Sequence, residues 1–339
     1  MNSHRFCVAP MLDVTDRHCR YFHRQLSCNA RLYTEMVTTG ALLHGPCERL
    51  LAFDAIEHPV ALQVGGSDPG ELARAARLVE RAGYDEINLN CGCPSERVQR
   101  GAFGACLMAE PALVADCVAA MRDAVSVPVT VKHRIGLGRV EDYGFVRDFV
   151  GTVARAGCEV FIVHARNAWL EGLSPRDNRT VPPLRYEVVQ RLAREFPALT
   201  IVLNGGLRDH RAALAQLAWA DGVMIGREAC DDPWMLAEVD QRYFGAPARV
   251  LERAQAIDAM RPYLRRELAA GVPLRVLVRP MLGLFNGLPG ARHWRRTLSD
   301  PQAMAQADRS ADRLLDQALA AMRAAAPRDA PAARTAECQ

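Results

Sequence analysis

The sequence predicts a (β/α)₈ TIM barrel followed by a small helical domain. Short apolar runs rich in β-branched residues alternate with amphipathic segments about eight times. Strands separated by helices pair in parallel through right-handed crossovers. Eight such units within residues 1–245 match the size of a closed barrel. An open doubly wound sheet is the alternative, but no GxGxxG motif follows the first strand.

The predicted elements follow in order along the chain. The strands are Phe6–Pro10, Arg31–Met36, Val60–Val64, Glu86–Asn90, Val127–Lys132, Val160–His164, Thr200–Asn204 and Gly222–Ile225. The helices between them include Gly70–Gly83, Pro111–Ala124, Asp142–Gly157, Tyr186–Phe196 and Asp209–Ala218. Gly83 and Gly157 each stand just before a strand, as expected for the residue that ends a helix.

Strand-like runs stop after Tyr243. Three later segments, Ala248–Ala270, Pro273–Leu284 and Pro301–Ala326, are rich in Ala, Leu and Arg and are predicted to be helical. We therefore expect a catalytic barrel domain in residues 1–245, a helical domain in 246–326 and a frayed tail in 327–339.

The composition indicates a cytoplasmic protein that does not associate with membranes. No stretch approaches the roughly 20 apolar residues of a membrane helix, and the N-terminal segment lacks the apolar core of a secretory signal. The 11 cysteines have no framework spacing, so we expect reduced thiols.

The charge is unevenly distributed. The formal net charge is +3, yet the part from Ala246 onward carries 15 Arg against 9 acidic residues, a net of +6. A basic end on a slightly acidic body is typical of a protein that binds a polyanion there. Arg-rich helices that are merely solvated are the alternative.

Lysine occurs only once. Of the 42 basic residues, all but Lys132 are Arg. A compact ammonium can do what a planar, permanently charged guanidinium cannot, so we assign Lys132 a chemical role.

Polar residues close most of the predicted strands. These strand ends are Pro10-Met11, Glu35-Met36, Gln63, Asn90 with Cys93 just beyond, Lys132, His164, Asn204-Gly205-Gly206 and Gly226-Arg227. Barrel enzymes build their active sites at this end of the strands. The loops after strands seven and eight are their usual phosphate site, where glycines admit close backbone approach and Arg227 adds charge.

Lys132 and His164 are predicted to point into the same mouth. A cation beside a flavin ring stabilises its anionic reduced form, and a neutral histidine can donate a hydrogen bond to ring or phosphate. A strand-end lysine in a barrel also suits a Schiff base with a carbonyl substrate, so both chemistries remain open.

Cys93 lies in the run Asn90-Cys91-Gly92-Cys93-Pro94. A metal site is not expected, because Cys91 and Cys93 are two residues apart and no second pair follows. Cys91 stands in a strand-like run, whereas Gly92 and Pro94 hold Cys93 on a loop over the mouth of the barrel. We therefore interpret Cys91 as a packing residue and Cys93 as a thiol presented to a substrate.

Motifs in one order across residues 8–230 resemble the tRNA-dihydrouridine synthases. They are APMLDVTDRHCRYF, YTEMVTTGALLHG, HPVALQVGGSDP, GYDEINLNCGCPS, VTVKHRIG, VHARNAWLEGLSP, LNGG and DGVMIGREA. MLGLFNGLPGARHWRR extends the resemblance to about residue 298. The set is most similar to the bacterial DusA subfamily, which modifies positions 20 and 20a of the tRNA D-loop. His133 inside the Lys-x-Arg-Ile-Gly motif is a small departure.

The resemblance implies an FMN site and a mechanism. The implied FMN-binding residues are Pro10, Met11, Leu12, Asp13, Gln63, Lys132, His164, Asn204, Gly205, Gly206, Gly226 and Arg227. NADPH would reduce the flavin, the flavin would pass hydride to C6 of the uracil, and Cys93 would protonate C5 as general acid. An unperturbed thiol is mostly protonated at neutral pH and so can donate.

The resemblance also implies the RNA contacts. Asn90 would face the base edge, and tRNA contacts fall on two Arg-x-x-Arg pairs, Arg176 with Arg179 and Arg292 with Arg295. On a helix, a spacing of three places both guanidiniums on one side. No obligate protein partner is expected.

Three rival functions remain in view. An FMN-dependent dehydrogenase of a free pyrimidine would use the same chemistry but would not need a basic helical appendage. A Schiff-base lyase through Lys132 would need no flavin. A non-catalytic RNA-binding barrel would not need the retained lysine and thiol.

Overall fold

A computed structural model describes residues 3–140, 142–249, 251–307 and 310–325. The chain divides into two compact units, a barrel unit of residues 1–229 and 235–249 and a helical unit of residues 230–234 and 250–339. The predicted tail, 327–339, and the last residue of the predicted segment Pro301–Ala326 lie outside the described residues.

Eight parallel strands form the barrel, as predicted. They are β1 (Phe6–Val8), β2 (Leu32–Thr38), β3 (Val60–Gly65), β4 (Glu86–Cys91), β5 (Val129–Arg134), β6 (Val160–His164), β7 (Thr200–Asn204) and β8 (Gly222–Ile225). From β2 to β8 each strand pairs with the next strand along the chain, and β1 pairs with β8. A parallel bridge between Cys7 and Arg31 closes the gap between β1 and β2. The C-terminal ends of all eight strands therefore lie on one rim of the barrel.

The helices surround these strands or follow them. In and after the barrel they are α1 (Arg17–Leu26), α2 (Thr39–His44), α3 (Cys47–Leu51), α4 (Pro69–Arg81), α5 (Glu96–Arg100), α6 (Pro111–Ala124), α7 (Tyr143–Arg155), α8 (Tyr186–Glu195), α9 (His210–Gln216), α10 (Glu228–Asp231) and α11 (Val239–Phe244). Those of the helical unit are α12 (Arg253–Ala269), α13 (Leu274–Val278), α14 (Ala291–Ser299), α15 (Pro301–Gln306) and α16 (Ala311–Ala325). Gly83 and Gly157, which follow α4 and α7, have φ of 96° and 94°, as their predicted role requires.

The fifth strand differs from its predicted range, Val127–Lys132. It begins two residues later, because Pro128 has no N–H to give to the ladder. It also continues past Lys132, since His133 and Arg134 pair with Val163 and His164 of β6. Lys132 is therefore not the last residue of its strand, and Arg134 stands closer to the rim.

The barrel interior is apolar in one part and polar in another. Cys7, Ala9, Tyr33, Ala61, Ile162, Val202 and Met224 form a buried cluster. Glu86, Asn88 and Asn90 of β4 share one face of that strand and are buried as well. Their polar atoms find partners inside the barrel, as burial demands.

The helical unit has its own core and departs from the prediction. Trp294 is fully buried and its indole N–H donates to the carbonyl of Met281 at 2.9 Å. The predicted helix Pro273–Leu284 ends at Val278 and gives way to a 3₁₀ turn, Arg279–Met281, because Pro280 cannot continue the hydrogen-bond pattern. The segment from Pro301 forms two helices rather than one, and α14 was not among the predicted segments.

No helix in the described part of the chain has both the length and the apolar character needed to cross a membrane.

Candidate active site

The predicted site residues of the barrel meet at the rim because of the strand register. Asn90 is the register partner of Lys132, and His164 is the partner of Asn204. The two pairs are neighbours, because β5 pairs directly with β6 and places Arg134 in register with His164.

Lys132 and Asn204 contact each other directly. The Lys132 ammonium donates to Oδ1 of Asn204 at 2.9 Å, and the Asn204 amide donates to the carbonyl of Met224 at 2.8 Å. Loss of hydration, with Arg134 and Arg179 nearby, lowers the pKa of Lys132 from 10.5 to about 7. Lys132 is thus a cation that a bound anion would stabilise.

His164 is neutral at this rim. Burial, followed by the charges of Arg134 and Lys132, lowers its pKa well below the ordinary value of 6.5. A neutral imidazole keeps one donor and one acceptor nitrogen, so His164 can serve either side of a hydrogen bond to a ligand.

The loop after β7 is a tight backbone cradle beside His164. Gly205 and Gly206 have φ of 112° and 68°, which side-chain-bearing residues rarely adopt. A Cβ on Gly205 would come within 2.6 Å of Cδ2 of His164, and one on Gly206 within 2.3 Å of Leu184. Gly226, by contrast, has no atom closer than 3.6 Å to such a Cβ. A side chain is therefore sterically excluded at Gly205 and Gly206, in the loop after β7, but not at Gly226.

Cationic side chains stand near this cradle. Arg227 is exposed, and Arg166 has a buried Nε with no hydrogen-bond partner among the described residues. Burial lowers the pKa of Arg166, the nearby Tyr186 opposes that shift, and Arg227 adds to it. Tyr186 donates to the carbonyl of Gly205 at 2.6 Å. Sequence reasoning missed Arg166, whose only signal was its place two residues after His164.

Side-chain oxygens hold the loop that carries Cys93. Oδ1 of Asn90 accepts the backbone N–H groups of Gly92 and Cys93 at 3.1 and 3.0 Å. The Cys93 thiol lies 3.5 Å from the hydroxyl of Ser95, which also caps α5. Gln99 joins this loop to the segment after β6 by donating to the carbonyls of Pro94 and Leu170. Cys93 is partly exposed and held from several directions.

Cys91 is the last residue of β4 and alternates in direction with Asn90, as expected of a packing residue. It is fully buried, and burial raises its pKa well above the ordinary value. A thiol in that setting is inert, so Cys93 is the accessible thiol of the pair.

Arg134 is a buried clamp that the sequence interpretation did not single out. Its guanidinium donates to three backbone carbonyls, those of Gly92 at 3.1 Å, Asn167 at 3.2 Å and Asn178 at 2.8 Å. Gly92 follows β4, whereas Asn167 and Asn178 both lie in the segment between β6 and α8, so Arg134 joins two loops of the rim. The motif Lys-x-Arg was the available signal, but its spacing places Arg134 on the same face as Lys132 without naming its partners.

The first predicted pair of RNA-contacting arginines belongs to the barrel unit. Arg176 directly precedes a one-turn 3₁₀ helix, Asp177–Arg179, of which Arg179 is the last residue, and both arginines are exposed. Buried Asn178 fixes this turn through hydrogen bonds with both the N–H and the carbonyl of Trp169. Loss of hydration and Arg227 lower the pKa of Arg179, and the sulfur of Cys93 opposes the shift. Arg179 is therefore close enough to Cys93 for the two side chains to interact electrostatically.

The second pair belongs to the helical unit. Arg292 and Arg295 are exposed on α14, whereas Trp294 and Leu298 on the same helix are buried. Arg295 donates to Oδ1 of Asn286 at 2.6 Å. The spacing of three residues places both guanidiniums on the solvent face, as predicted.

The segment after β1 contributes backbone and one exposed apolar side chain. Asp13 has φ of 59°, and its N–H donates to the carboxylate of Glu35. The N–H of Met11 donates to the Thr15 hydroxyl at 2.9 Å. Leu12 is 61% exposed, which leaves it free to contact a ligand. Pro10 precedes this turn and is partly buried.

Comparisons with known proteins agree with one another. The family model "Dihydrouridine synthase (Dus)" matches residues 7–323. The chain is 58% identical over 297 residues to "tRNA-dihydrouridine(20/20a) synthase" of Yersinia pestis, covering 87% of this chain and 86% of that protein. It is 58% identical over 307 residues to the protein of the same name from Escherichia coli K12, covering 90% and 89%.

A solved structure supports the fold alone. Morphinone reductase is similar with a TM-score of 0.50 at 14% identity, covering 74% of this chain and 88% of that one. At this identity the likeness shows a shared barrel and carries no statement about substrate.

Proposed function

The chain belongs to the dihydrouridine synthase family, and we propose that it reduces uridine at positions 20 and 20a of the tRNA D-loop to 5,6-dihydrouridine. FMN is the proposed cofactor and NADPH the proposed reductant, and we expect the enzyme to act in the cytoplasm. The observation that carries the proposal is a partly exposed Cys93 on a pinned loop of the same rim that holds the Lys132–Asn204 pair.

The residues present fit an FMN phosphate. Gly205 and Gly206 leave a cradle that a Cβ would fill, and the orphaned Nε of Arg166 is a buried donor that an anion would satisfy. Arg227 adds an exposed positive charge. A helix N-terminus is not needed to bind the phosphate, because backbone N–H and guanidinium groups already supply hydrogen-bond donors and positive charge.

The residues around the ring position fit an isoalloxazine. Gln63, Lys132 and His164 would hold its polar edge, and the segment Pro10–Asp13 would cover it. An ammonium with a pKa lowered to about 7 regains its proton beside a negative charge. When bound, FMN supplies the hydride that the reduction of the C5–C6 bond requires.

The remaining proton comes from the chain itself. Cys93 would give its thiol proton to C5 of the uracil, and the loop that carries it is held by Asn90. The departing proton leaves a thiolate whose charge Arg134 and Arg179 are near enough to stabilise, since both interact electrostatically with that sulfur. Positioned acids of this kind contribute about 10²–10⁴ in rate.

Exposed arginines would hold the RNA. Arg176 and Arg179 stand beside the rim, and Arg292 and Arg295 share one face of α14. Guanidiniums pair with phosphates and stack on splayed bases, which suits a flipped-out loop nucleotide.

Mass spectrometric mapping of tRNA tests the proposal. Purified enzyme with FMN and NADPH should convert U20 and U20a of an unmodified transcript to dihydrouridine and leave free uridine unchanged. Reduction of free uridine at an equal rate would favour a pyrimidine dehydrogenase. A colourless protein that forms a borohydride-trapped adduct at Lys132 would favour the Schiff-base lyase.

A further inference from the structure

A chain of hydrogen bonds runs through the barrel interior from Glu86 to the Cys93 loop. The Thr130 hydroxyl donates to Oε1 of Glu86 at 2.6 Å. The Asn88 amide donates to Thr130 at 2.8 Å, and the Gln63 amide donates to Asn88 at 2.8 Å. The Asn90 amide then donates to Gln63 at 2.8 Å, and the Cys93 N–H donates to Asn90 at 3.0 Å.

Every donor in this chain points toward Glu86. Glu86 is fully buried, and although burial alone opposes ionisation, His4 at 2.7 Å and Arg31 at 3.1 Å hold its pKa at about 2. An ionised carboxylate can only accept hydrogen bonds. Thr130 must therefore donate to it, which leaves the Thr130 oxygen to accept from Asn88.

The opposite end imposes the same direction. The backbone N–H groups of Gly92 and Cys93 can only donate, so Asn90 must turn its oxygen toward them. Turning any one amide over would set oxygen against oxygen or NH₂ against NH₂ at two links. Buried groups left unpaired in this way are costly, so both ends cooperate in one orientation.

We propose that Glu86 is a positioning residue that fixes Gln63 and Asn90 as hydrogen-bond donors at the mouth of the barrel. Each of their amide nitrogens keeps one N–H for which the described residues offer no acceptor. Such donors match carbonyl oxygens of a flavin or a uracil. The inference rests on the proposed function, because it assigns a use to the site proposed above.

The arrangement has a consequence for base choice. Uracil carries a carbonyl oxygen at C4 where cytosine carries an amino group. A donor held in place by Asn90 would pair with the former and oppose the latter, and a site that hydrogen-bonds its substrate rejects a mismatched analogue strongly. Breaking this chain of hydrogen bonds should weaken the discrimination between uracil and cytosine and lower the affinity for FMN.

Two matched substitutions separate positioning from stability. Thr130→Val keeps the side-chain shape and removes the first link of the chain. Tyr33→Phe removes another donor to the same oxygen, Oε1 of Glu86 at 2.8 Å, but lies outside the chain. Thr130→Ser restores the hydroxyl, and Asn88→Leu breaks the next link should Thr130→Val fail to fold.

The measurements are the FMN dissociation constant of each flavin-free protein and the rate of flavin reoxidation by transcripts with uridine or cytidine at position 20. We expect Thr130→Val or Asn88→Leu to raise the FMN Kd about tenfold and to lower the uridine preference, with Thr130→Ser and Tyr33→Phe within twofold of the parent. Equal FMN Kd and base preference in Thr130→Val and Tyr33→Phe would overturn the proposal. If the parent binds FMN but acts on neither transcript, the proposed function fails. The FMN Kd values of the variants would still decide whether the hydrogen-bond chain positions the donors.

Discussion

The ammonium of Lys132 donates a 2.9 Å hydrogen bond to Asn204, two strands away around the barrel. This contact joins the sole lysine of the chain to the strand that leads into the glycine cradle. The hydrogen bond to Asn204 requires a compact donor at this position, which the ammonium of Lys132 provides.

Lys132→Arg should lower the rate of dihydrouridine formation as far as Lys132→Ala does, by about 10² or more. A planar fork cannot fill the place of an ammonium that faces one amide oxygen. Turnover of the two variants is measured with saturating FMN. Near-normal turnover in Lys132→Arg would show that charge alone suffices there.

Lys132 also makes stability depend on pH. Its pKa is lowered to about 7 in the folded protein against 10.5 as the ordinary value. Between these values the unfolded chain binds a proton that the folded protein has released, so the free energy of unfolding of flavin-free protein should rise with pH in that window. Lys132→Met should flatten the rise. Urea midpoints at pH 7.5 and 9 for both proteins provide the check, and parallel slopes would contradict it.

Gly205→Ala should empty the flavin site. Its φ of 112° and the 2.6 Å approach of a Cβ to His164 leave no room for a methyl group. Gly83→Ala is the control, since Gly83 has φ of 96° but no atom closer than 3.8 Å to the added Cβ. Both variants should lose about 1 kcal/mol through backbone strain. Only Gly205→Ala should purify without the flavin absorbance, and a full flavin spectrum there would refute the phosphate assignment.

Removal of Arg292 and Arg295 should weaken tRNA binding without touching the flavin reaction. Each phosphate contact contributes about 0.7–0.9 to the dependence of log K on log salt, so the double Ala variant should lower that slope by about 1.5. Arg77→Ala, an exposed charge on α4, serves as control and should leave the slope unchanged. Slower NADPH oxidation in the absence of tRNA would indicate a structural role for the pair instead.

Cys93→Ala should block only the second half-reaction. The variant should bind FMN and be reduced by NADPH at the parental rate, whereas reoxidation by tRNA should slow by about 10² or more. Cys91→Ala should behave like the parent in both steps, because its side chain is fully buried away from the mouth. Stopped-flow flavin absorbance with separate mixing distinguishes the steps, and the assignment fails if Cys91→Ala is the variant that cannot be reoxidised.

Much of the barrel could be predicted from local pattern. The ranges of β6, β7 and β8 agree with the prediction to the residue, and α6 does as well. Two boundaries failed where proline intervened, at the start of β5 and after α13, because a missing N–H ends a ladder or a helix without altering the apolar pattern. The second strand, predicted as Arg31–Met36, was also missed at both ends, since β2 is Leu32–Thr38.

The sequence by itself determined that eight strands alternate with helices and which residues stand at or near the strand ends, although Lys132 lies two residues before the end of β5. A closed parallel barrel then places those ends on one rim, so Lys132, His164 and Cys93 could be grouped in advance. Only the tertiary structure decided which groups pair, Lys132 with Asn204 and Arg134 with three carbonyls of two loops, and the direction of the hydrogen-bond chain that begins at Glu86. These choices depend on strand register and on hydrogen-bond direction across the barrel, and residues far apart in sequence settle them only when the barrel closes.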